Sequence, residues 1–243
     1  MPDFSKFYYL LEKKEKGYLD STIEILQKKN KILLITTSNR WDGSDDIPKS
    51  TQLARYIEQQ VTGKCTLIDC SKLNIYDCEG NVSDGIKGNH CGTKDAVLKD
   101  KSKNPSGCHR CWASINHEDD ELWKITKPLL ESDAVIFFGS VRWGQTNAVY
   151  QRLLERLTWL ENRHSSLSES NILKNIEAGI ILIGQNWNGE QVVETQKQVL
   201  KFFGFKVPAT LSWNWQYTKN AKDESLESYK KAEKVFKQTF LSS

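Results

Sequence analysis

Five short apolar runs, each followed by a helical pattern, constrain this chain more than any other feature. Residues 31–37 (KILLITT), 65–69, 133–139, 178–184 and 205–213 read as strands. After them, residues 50–61, 118–131, 145–162, 190–203 and 224–240 carry apolar side chains at helical spacing. Strands that are apolar throughout need cover on both faces. Strand–helix alternation therefore predicts a parallel sheet with helices on either side, joined by right-handed crossovers. Residues 3–29 add apolar positions at helical spacing (Phe4, Phe7, Tyr8, Leu11, Ile23, Leu26), with Asp20-Ser21 as an N-cap between one or two leading helices. In an open parallel sheet, ligands bind beyond the carboxyl ends of the strands.

The division expected is a helical extension over 1–30 and one domain over 31–243, interrupted by a polar insertion at 70–117. With 243 residues, 38% of them hydrophobic, one sizeable core is affordable. The 34 Lys and Arg against 31 Asp and Glu leave a net charge of only +3, which argues against nucleic acid as a partner. No run of apolar residues is long enough for a membrane span, and Met1-Pro2-Asp3-Phe4 lacks the apolar core of a signal peptide. The expectation is a cytoplasmic protein that meets no membrane.

Three loops carry the chemistry. The first, Thr36-Thr37-Ser38-Asn39-Arg40, continues to Pro48-Lys49-Ser50-Thr51-Gln52 and opens a helix. Hydroxyls together with backbone N–H groups at a helix N-terminus make a phosphate site. An ordinary Ser/Thr N-cap uses the same residue types. The loop lacks both the Gly-x-Gly-x-x-Gly of dinucleotide folds and the Gly-Lys-Ser/Thr of nucleoside-triphosphate loops, so a terminal phosphomonoester is the better fit. The second loop, residues 137–147 (FFGSVRWGQTN), leaves the third strand and opens a helix. The third, residues 184–189 (GQNWNG), leaves the fourth.

Together these loops resemble those of the flavodoxin-like NAD(P)H-dependent FMN reductases and the related iron–sulfur flavoproteins. The resemblance covers roughly residues 31–215 and implies a doubly wound five-stranded parallel sheet of order 2-1-3-4-5. It implies that Ser38, Arg40, Ser50 and Thr51 hold the FMN phosphate. Ser140, Val141, Arg142, Trp143 and Gly144 line the isoalloxazine, with Gln145, Thr146 and Asn147 as further donors and Gly184, Gln185 and Asn186 closing over it. Arg142 near the pyrimidine end stabilises an anionic reduced flavin, and Trp143 and Trp187 stack on the ring or form an oligomer contact. The implied activity passes electrons from NAD(P)H through FMN to a small acceptor (a quinone, nitro compound, flavin or metal complex), with the cofactor carrying the redox chemistry and no catalytic side chain assigned. A homodimer or homotetramer is implied, and an aromatic-rich surface (Trp143, Trp159, Trp187, Trp213, Trp215) fits one. Two departures from the family pattern stand out: an insertion at 41–47, and Val141-Arg142 in place of a proline followed by an aliphatic or aromatic residue. An electron-transfer flavoprotein and a redox- or metal-sensing flavin module are the alternatives.

Smaller clusters read as structural. Arg152, Glu155 and Arg156 have the i, i+3 and i+4 spacing of surface pairs, and Asp119-Asp120-Glu121 reads as the acidic first turn of a helix. The six cysteines, Cys65, Cys70, Cys78, Cys91, Cys108 and Cys111, all fall within 47 positions. Cys65 and Cys70 bracket the second strand and read as structural. Cys78, Cys91, Cys108 and Cys111, with His90 and His117 nearby, are candidate ligands for a zinc or an iron–sulfur cluster. Their spacing does not match the compact four-cysteine pattern of iron–sulfur flavoproteins, and an oxidisable pair or plain reduced thiols remain open readings. A zinc would account for the folding of so polar an insertion.

Overall fold

The computed structural model describes residues 13–39, 47–80, 90–184 and 188–216. The strands are β1 (Ile32–Thr36), β2 (Cys65–Asp69), β3 (Ala134–Arg142), β4 (Gln145–Thr146), β5 (Glu177–Gly184) and β6 (Trp213–Gln216). All pairings in the order β2-β1-β3-β5-β6 are parallel, while β4 pairs antiparallel with the end of β3. Apart from the two-residue β4, this is the flavodoxin-like 2-1-3-4-5 order. The helices are α1 (Lys13–Gln27), α2 (Lys49–Gln60), α3 (Trp112–Asn116), α4 (Trp123–Glu131), α5 (Ala148–Ser165) and α6 (Gly189–Phe202).

Strand side chains alternate between two apolar layers. Leu33, Ile35, Val135, Phe137, Ile180 and Leu182 belong to one layer, together with the apolar faces of α4, α5 and α6. Ile32, Leu34, Ile136, Phe138, Ile181 and Ile183 belong to the other, with Leu19 and Leu26 of α1 and Leu53 and Ile57 of α2. Because both faces are covered, Leu33, Leu34 and Ile35 are all fully buried, and each contributes roughly 1.5–3 kcal/mol through burial. That is why the runs show no polar alternation.

Several boundaries differ from those read off the sequence, each for a local reason. Residues 13–27 form one helix straight through Asp20-Ser21, because Leu19, Thr22 and Leu26 fall on one buried stripe. β3 runs past Gly139 to Arg142 because Gln145–Thr146 folds back as its partner. The last strand is displaced from 205–213: Lys206 bridges Glu177, a 3-10 turn takes Ala209–Leu211, and pairing with β5 begins only at Trp213. The helix expected over 224–240 lies outside the described residues.

The insertion folds on side-chain hydrogen bonds. Asp120 is not in a helical first turn, since α4 starts at Trp123. Its carboxylate instead accepts from Arg156 of α5 at 2.8 and 3.0 Å, with both side chains fully buried. Arg156 also donates to the Tyr76 carbonyl at 2.7 Å and the Ser114 hydroxyl at 2.9 Å, which makes it an internal strut, not a surface cation. Arg152 likewise reaches the insertion, at the Ile75 carbonyl, and not its own helix. Asp119 accepts from the Tyr76 hydroxyl and Glu121 from the Asn74 N–H, so the acidic triplet clamps the stem of the insertion. His109 is buried between Thr126 Oγ1 (2.7 Å) and Ser114 Oγ (2.9 Å). Asn104 closes the loop by donating to the carbonyls of Leu98 and His109.

Two outcomes follow. Asp120→Ala leaves the Arg156 guanidinium buried without its counter-charge, and urea denaturation should show a loss of about 3–5 kcal/mol; a loss below about 1 kcal/mol would contradict the strut. Burial holds the His109 imidazole down at about 4 against the pull of Asp120, whereas the unfolded chain titrates near ~6.5. The depressed group therefore contributes stability that is complete above ~6.5 and is lost as pH falls toward about 4, roughly 3 kcal/mol in all. Denaturation midpoints across that window should fall for the wild type and fall less for His109→Gln.

Candidate functional site

Parallel strands bring the ends of β1, β3 and β5 to one edge of the sheet, and the three loops meet there. At the first, Pro48 precedes α2 and makes no side-chain cap, and Ser50 and Thr51 lie inside the helix. They are therefore not ordinary N-caps. The first backbone bond of the helix is Gln52 N–H to the Pro48 carbonyl at 3.0 Å, so the N–H groups of Ser50 and Thr51 have no intrahelical acceptor. Ser50 Oγ donates to Ser38 Oγ at 2.8 Å, with both residues buried. Thr36 Oγ1, Thr51 Oγ1 and Gln52 Oε1 are buried with no hydrogen-bond partner. Leaving such groups unsatisfied costs about 1–3 kcal/mol each. Hydroxyl donors and the positive end of a helix fit a bound oxyanion. Arg40, expected here, and the insertion at 41–46 lie outside the described residues.

Asn147 ties this corner to the second loop. Its Nδ2 donates to the Thr37 carbonyl at 2.8 Å, and its Oδ1 accepts from the Ser140 N–H at 3.1 Å and the Thr37 hydroxyl at 3.2 Å. Thr37 also bonds back to the Phe138 carbonyl through both its N–H and its hydroxyl. The close approach depends on Gly139: a Cβ there would stand 2.8 Å from Asn147 Oδ1 and 3.1 Å from Thr37 Oγ1.

The second loop is a tight β-hairpin. Val141 pairs with Thr146 and Arg142 with Gln145, leaving Trp143 and Gly144 as the turn, with φ of 50° and 71°. A two-residue turn with positive φ at both positions matches the twist of the strands. Glycine adopts it without strain, whereas for Trp143 the left-handed region costs roughly 1–2 kcal/mol. Trp143 is 87% exposed. Val141 is buried and its side chain packs against Gly184. Arg142 and Gln145 are exposed. From the third loop, Asn188 sits in the left-handed region (φ 68°) and donates to the Gly144 carbonyl at 3.0 Å, latching the hairpin. Gln185, Asn186 and Trp187 lie outside the described residues.

Sequence reasoning missed Thr36, Thr37, Gln52 and Asn188. Thr36 and Thr37 stood in plain view at a strand's carboxyl end. No local signal marks the Asn188 latch, which forms only through tertiary contact. The aromatic surface needs correcting: Trp159, Trp213 and Trp215 are buried, and of the five tryptophans grouped there only Trp143 is described as exposed.

The four candidate metal ligands do not assemble. Among the described residues, no group of three or more His, Cys, Asp or Glu side chains is placed to hold a metal. The Cys-x-x-Cys is split by buried His109. Cys108 lines a crevice with Lys103, Asn104 and Thr126, while Cys111 faces Cys78 and Cys91 across a separate small cavity. All six thiols are free. Burial pushes Cys65 and Cys70 up to about 12, which fits inert structural thiols.

No family model and no curated protein matches this chain. Among solved structures, it is similar to RosB with a bound intermediate, 8-demethyl-8-formylriboflavin-5'-phosphate: TM-score 0.50 and 14% identity, covering 76% of this chain and 64% of RosB. The chain thus spans about two thirds of RosB's length. An azoreductase from Bacillus anthracis str. Sterne aligns at TM-score 0.49 and 14% identity over 86% of this chain and 94% of its own. An FMN-dependent NADH-azoreductase from Bacillus anthracis str. Ames Ancestor, in complex with FMN, aligns at 0.47 and 9% over 86% and 96%. At these identities the similarity to RosB establishes the flavodoxin-like fold and nothing finer.

Asn147→Ala removes three hydrogen bonds and leaves buried backbone groups unpaired, for an expected loss of about 1–3 kcal/mol. At the latch, Asn188→Gly should be tolerated better than Asn188→Ala, because glycine keeps the left-handed backbone. Thermal melts of the three variants check both orderings; equal melting of the glycine and alanine variants would remove the backbone argument.

Proposed function

We propose that the chain is an FMN-dependent oxidoreductase that takes electrons from NAD(P)H and passes them to a small acceptor. The observation that carries this reading is the unsatisfied hydroxyl corner at the start of α2, with Thr36 and Thr51 buried and unpartnered beside the Ser38–Ser50 pair. It sits at the switch point between β1 and β3, where the sheet order reverses and doubly wound folds bind nucleotides. RosB, which shares the fold, holds a flavin 5'-phosphate derivative, which supports the same class of ligand.

On this reading Ser38, Ser50 and Thr51, with Arg40, hold the phosphate by charge-assisted hydrogen bonds. The Ser140–Gly144 hairpin and Gly184–Asn186 flank the ring, with Gln145 and Asn147 beside it. Bound FMN supplies hydride acceptance and onward electron transfer. The residues' own work is positional. Asn147 sets the separation of the phosphate corner and the hairpin, and Asn188 holds the hairpin closed. Exposed Arg142 supplies positive charge at the hairpin edge, suited to the charge of a reduced flavin. The acceptor is a quinone, nitro compound, free flavin or metal complex, and Trp143 offers it an open aromatic face. We assign the protein to the cytoplasm, where six free thiols are at home, and to a homodimer or homotetramer that binds neither nucleic acid nor membrane. Among the described residues no helix is long and apolar enough to cross a membrane.

Ser50→Ala combined with Thr51→Ala should weaken FMN binding roughly 100-fold while leaving riboflavin, which lacks the phosphate, unchanged. Fluorescence titration reads both; equal weakening of the two ligands places the phosphate elsewhere. Anaerobic addition of NADH or NADPH should bleach the bound flavin, and persistent yellow with both would make the protein a carrier instead of a reductase.

A further inference from the structure

Cys78, Cys91 and Cys111 line one cavity of about 10 Å³ beside Arg156. That volume is near the minimum for a single water. Cys91 and Cys111 are both buried there, at 6% and 5% exposure, and Cys78 is half-buried. Hydrogen bonds bracket the two buried cysteines. The residue after Cys111, Trp112, donates through Nε1 to the carbonyl of the residue before Cys91, His90, at 3.2 Å. The residue before Cys111, Arg110, donates through Nη1 to the carbonyl of the residue after Cys91, Gly92, at 3.1 Å. These side chains tie residues 90–92 to residues 110–112 on either side of Cys91 and Cys111, and the two cysteines line the same cavity. Both are anchored to α5: Asn162 Nδ2 donates to the Cys91 carbonyl, and Arg156 Nη2 donates to Cys111 Sγ at 3.5 Å.

We propose that Cys91 and Cys111 form a peroxide-oxidisable dithiol site, and that the Cys-x-x-Cys pair Cys108–Cys111 suggested by the sequence does not. The contact of Arg156 Nη2 with Cys111 Sγ singles out Cys111 as the attacking sulfur. The Cys111 thiolate attacks one oxygen of hydrogen peroxide, breaking the O–O bond and giving a sulfenic acid and hydroxide, which takes up a proton to become water. The Cys91 sulfur then attacks the sulfenic sulfur. Its proton leaves with the displaced hydroxyl as a second water, and the S–S bond forms. In sum, two thiols lose two electrons and two hydrogens, and one peroxide becomes two waters. A cavity of about 10 Å³ between buried thiols excludes bulky disulfides such as oxidised glutathione, and peroxide, with two oxygen atoms, is the far smaller oxidant. Cys108, held near the Ser106 carbonyl in a different crevice, takes no part. The proposal does not depend on whether flavin binds.

The full-length protein, treated with hydrogen peroxide, blocked with an alkylating agent and digested without reduction, tests this by peptide mass mapping. The expected product is one cross-linked pair of peptides carrying Cys91 and Cys111, formed equally well in Cys108→Ser and abolished in Cys111→Ser. Oxidised glutathione at the same concentration should give little of it. The proposal is overturned by a Cys108–Cys111 cross-link, by pairing through Cys78 in place of Cys91, or by full alkylation of both cysteines after peroxide. Iron or zinc co-purifying with the protein and masking the thiols from alkylation would overturn it too. Because the wild-type map alone decides the pairing, a variant that fails to fold leaves the test intact.

Discussion

The geometry of the candidate site depends on one buried amide. Asn147 spends its donor on the Thr37 carbonyl and its acceptor on the Ser140 N–H and the Thr37 hydroxyl. It thereby fixes the loop after β1 against the loop after β3. Thr37 adds a second tie through its hydroxyl to the Phe138 carbonyl. The arrangement is reciprocal with Gly139, whose missing Cβ leaves room for the amide oxygen. A hydroxyl-lined corner and an aromatic-tipped hairpin are thereby held at a set distance from each other.

Asn147 is also the residue from which α5 departs, so the helix connects the site to the rest of the molecule. Further along it, Arg156 holds the polar insertion through Asp120, Asn162 holds the Cys91 loop, and Arg163 pairs with Glu169 at 2.7 Å. A buried ion pair of this kind adds little net stability over an apolar substitute, yet losing one partner is costly. Its effect is to give the insertion one position. This is how the described parts of the insertion, residues 70–80 and 90–117, are held against the sheet.

The sequence made the sheet legible because both its faces are buried, so apolar runs such as KILLITT could be read as strands without ambiguity. The placement of Ser38 at a strand end and of Ser50 and Thr51 in the first turn of a helix was legible from the same pattern. What stayed hidden shares one physical cause: it is decided by contacts between segments far apart in the chain. Arg156 has the spacing of a surface residue and becomes buried only because Asp120, 36 positions away, meets it. Cys108 and Cys111 are three positions apart in a motif and face different cavities, because His109 between them is drawn into the core. Asn188 and Trp143 hold left-handed backbones that a hairpin and its latch impose. The strand that was expected at 205–213 was delayed to Trp213 by the Lys206 bridge and a 3-10 turn.

The most direct measurement is a crystal structure of the protein grown with FMN. We expect the phosphate oxygens within hydrogen-bond reach of the hydroxyls of Ser38, Ser50 and Thr51, and the ring against the backbone of Ser140–Gly144, with Asn147 unmoved. A phosphate bound away from the start of α2, or a flavin bound only at a crystal contact, would contradict it.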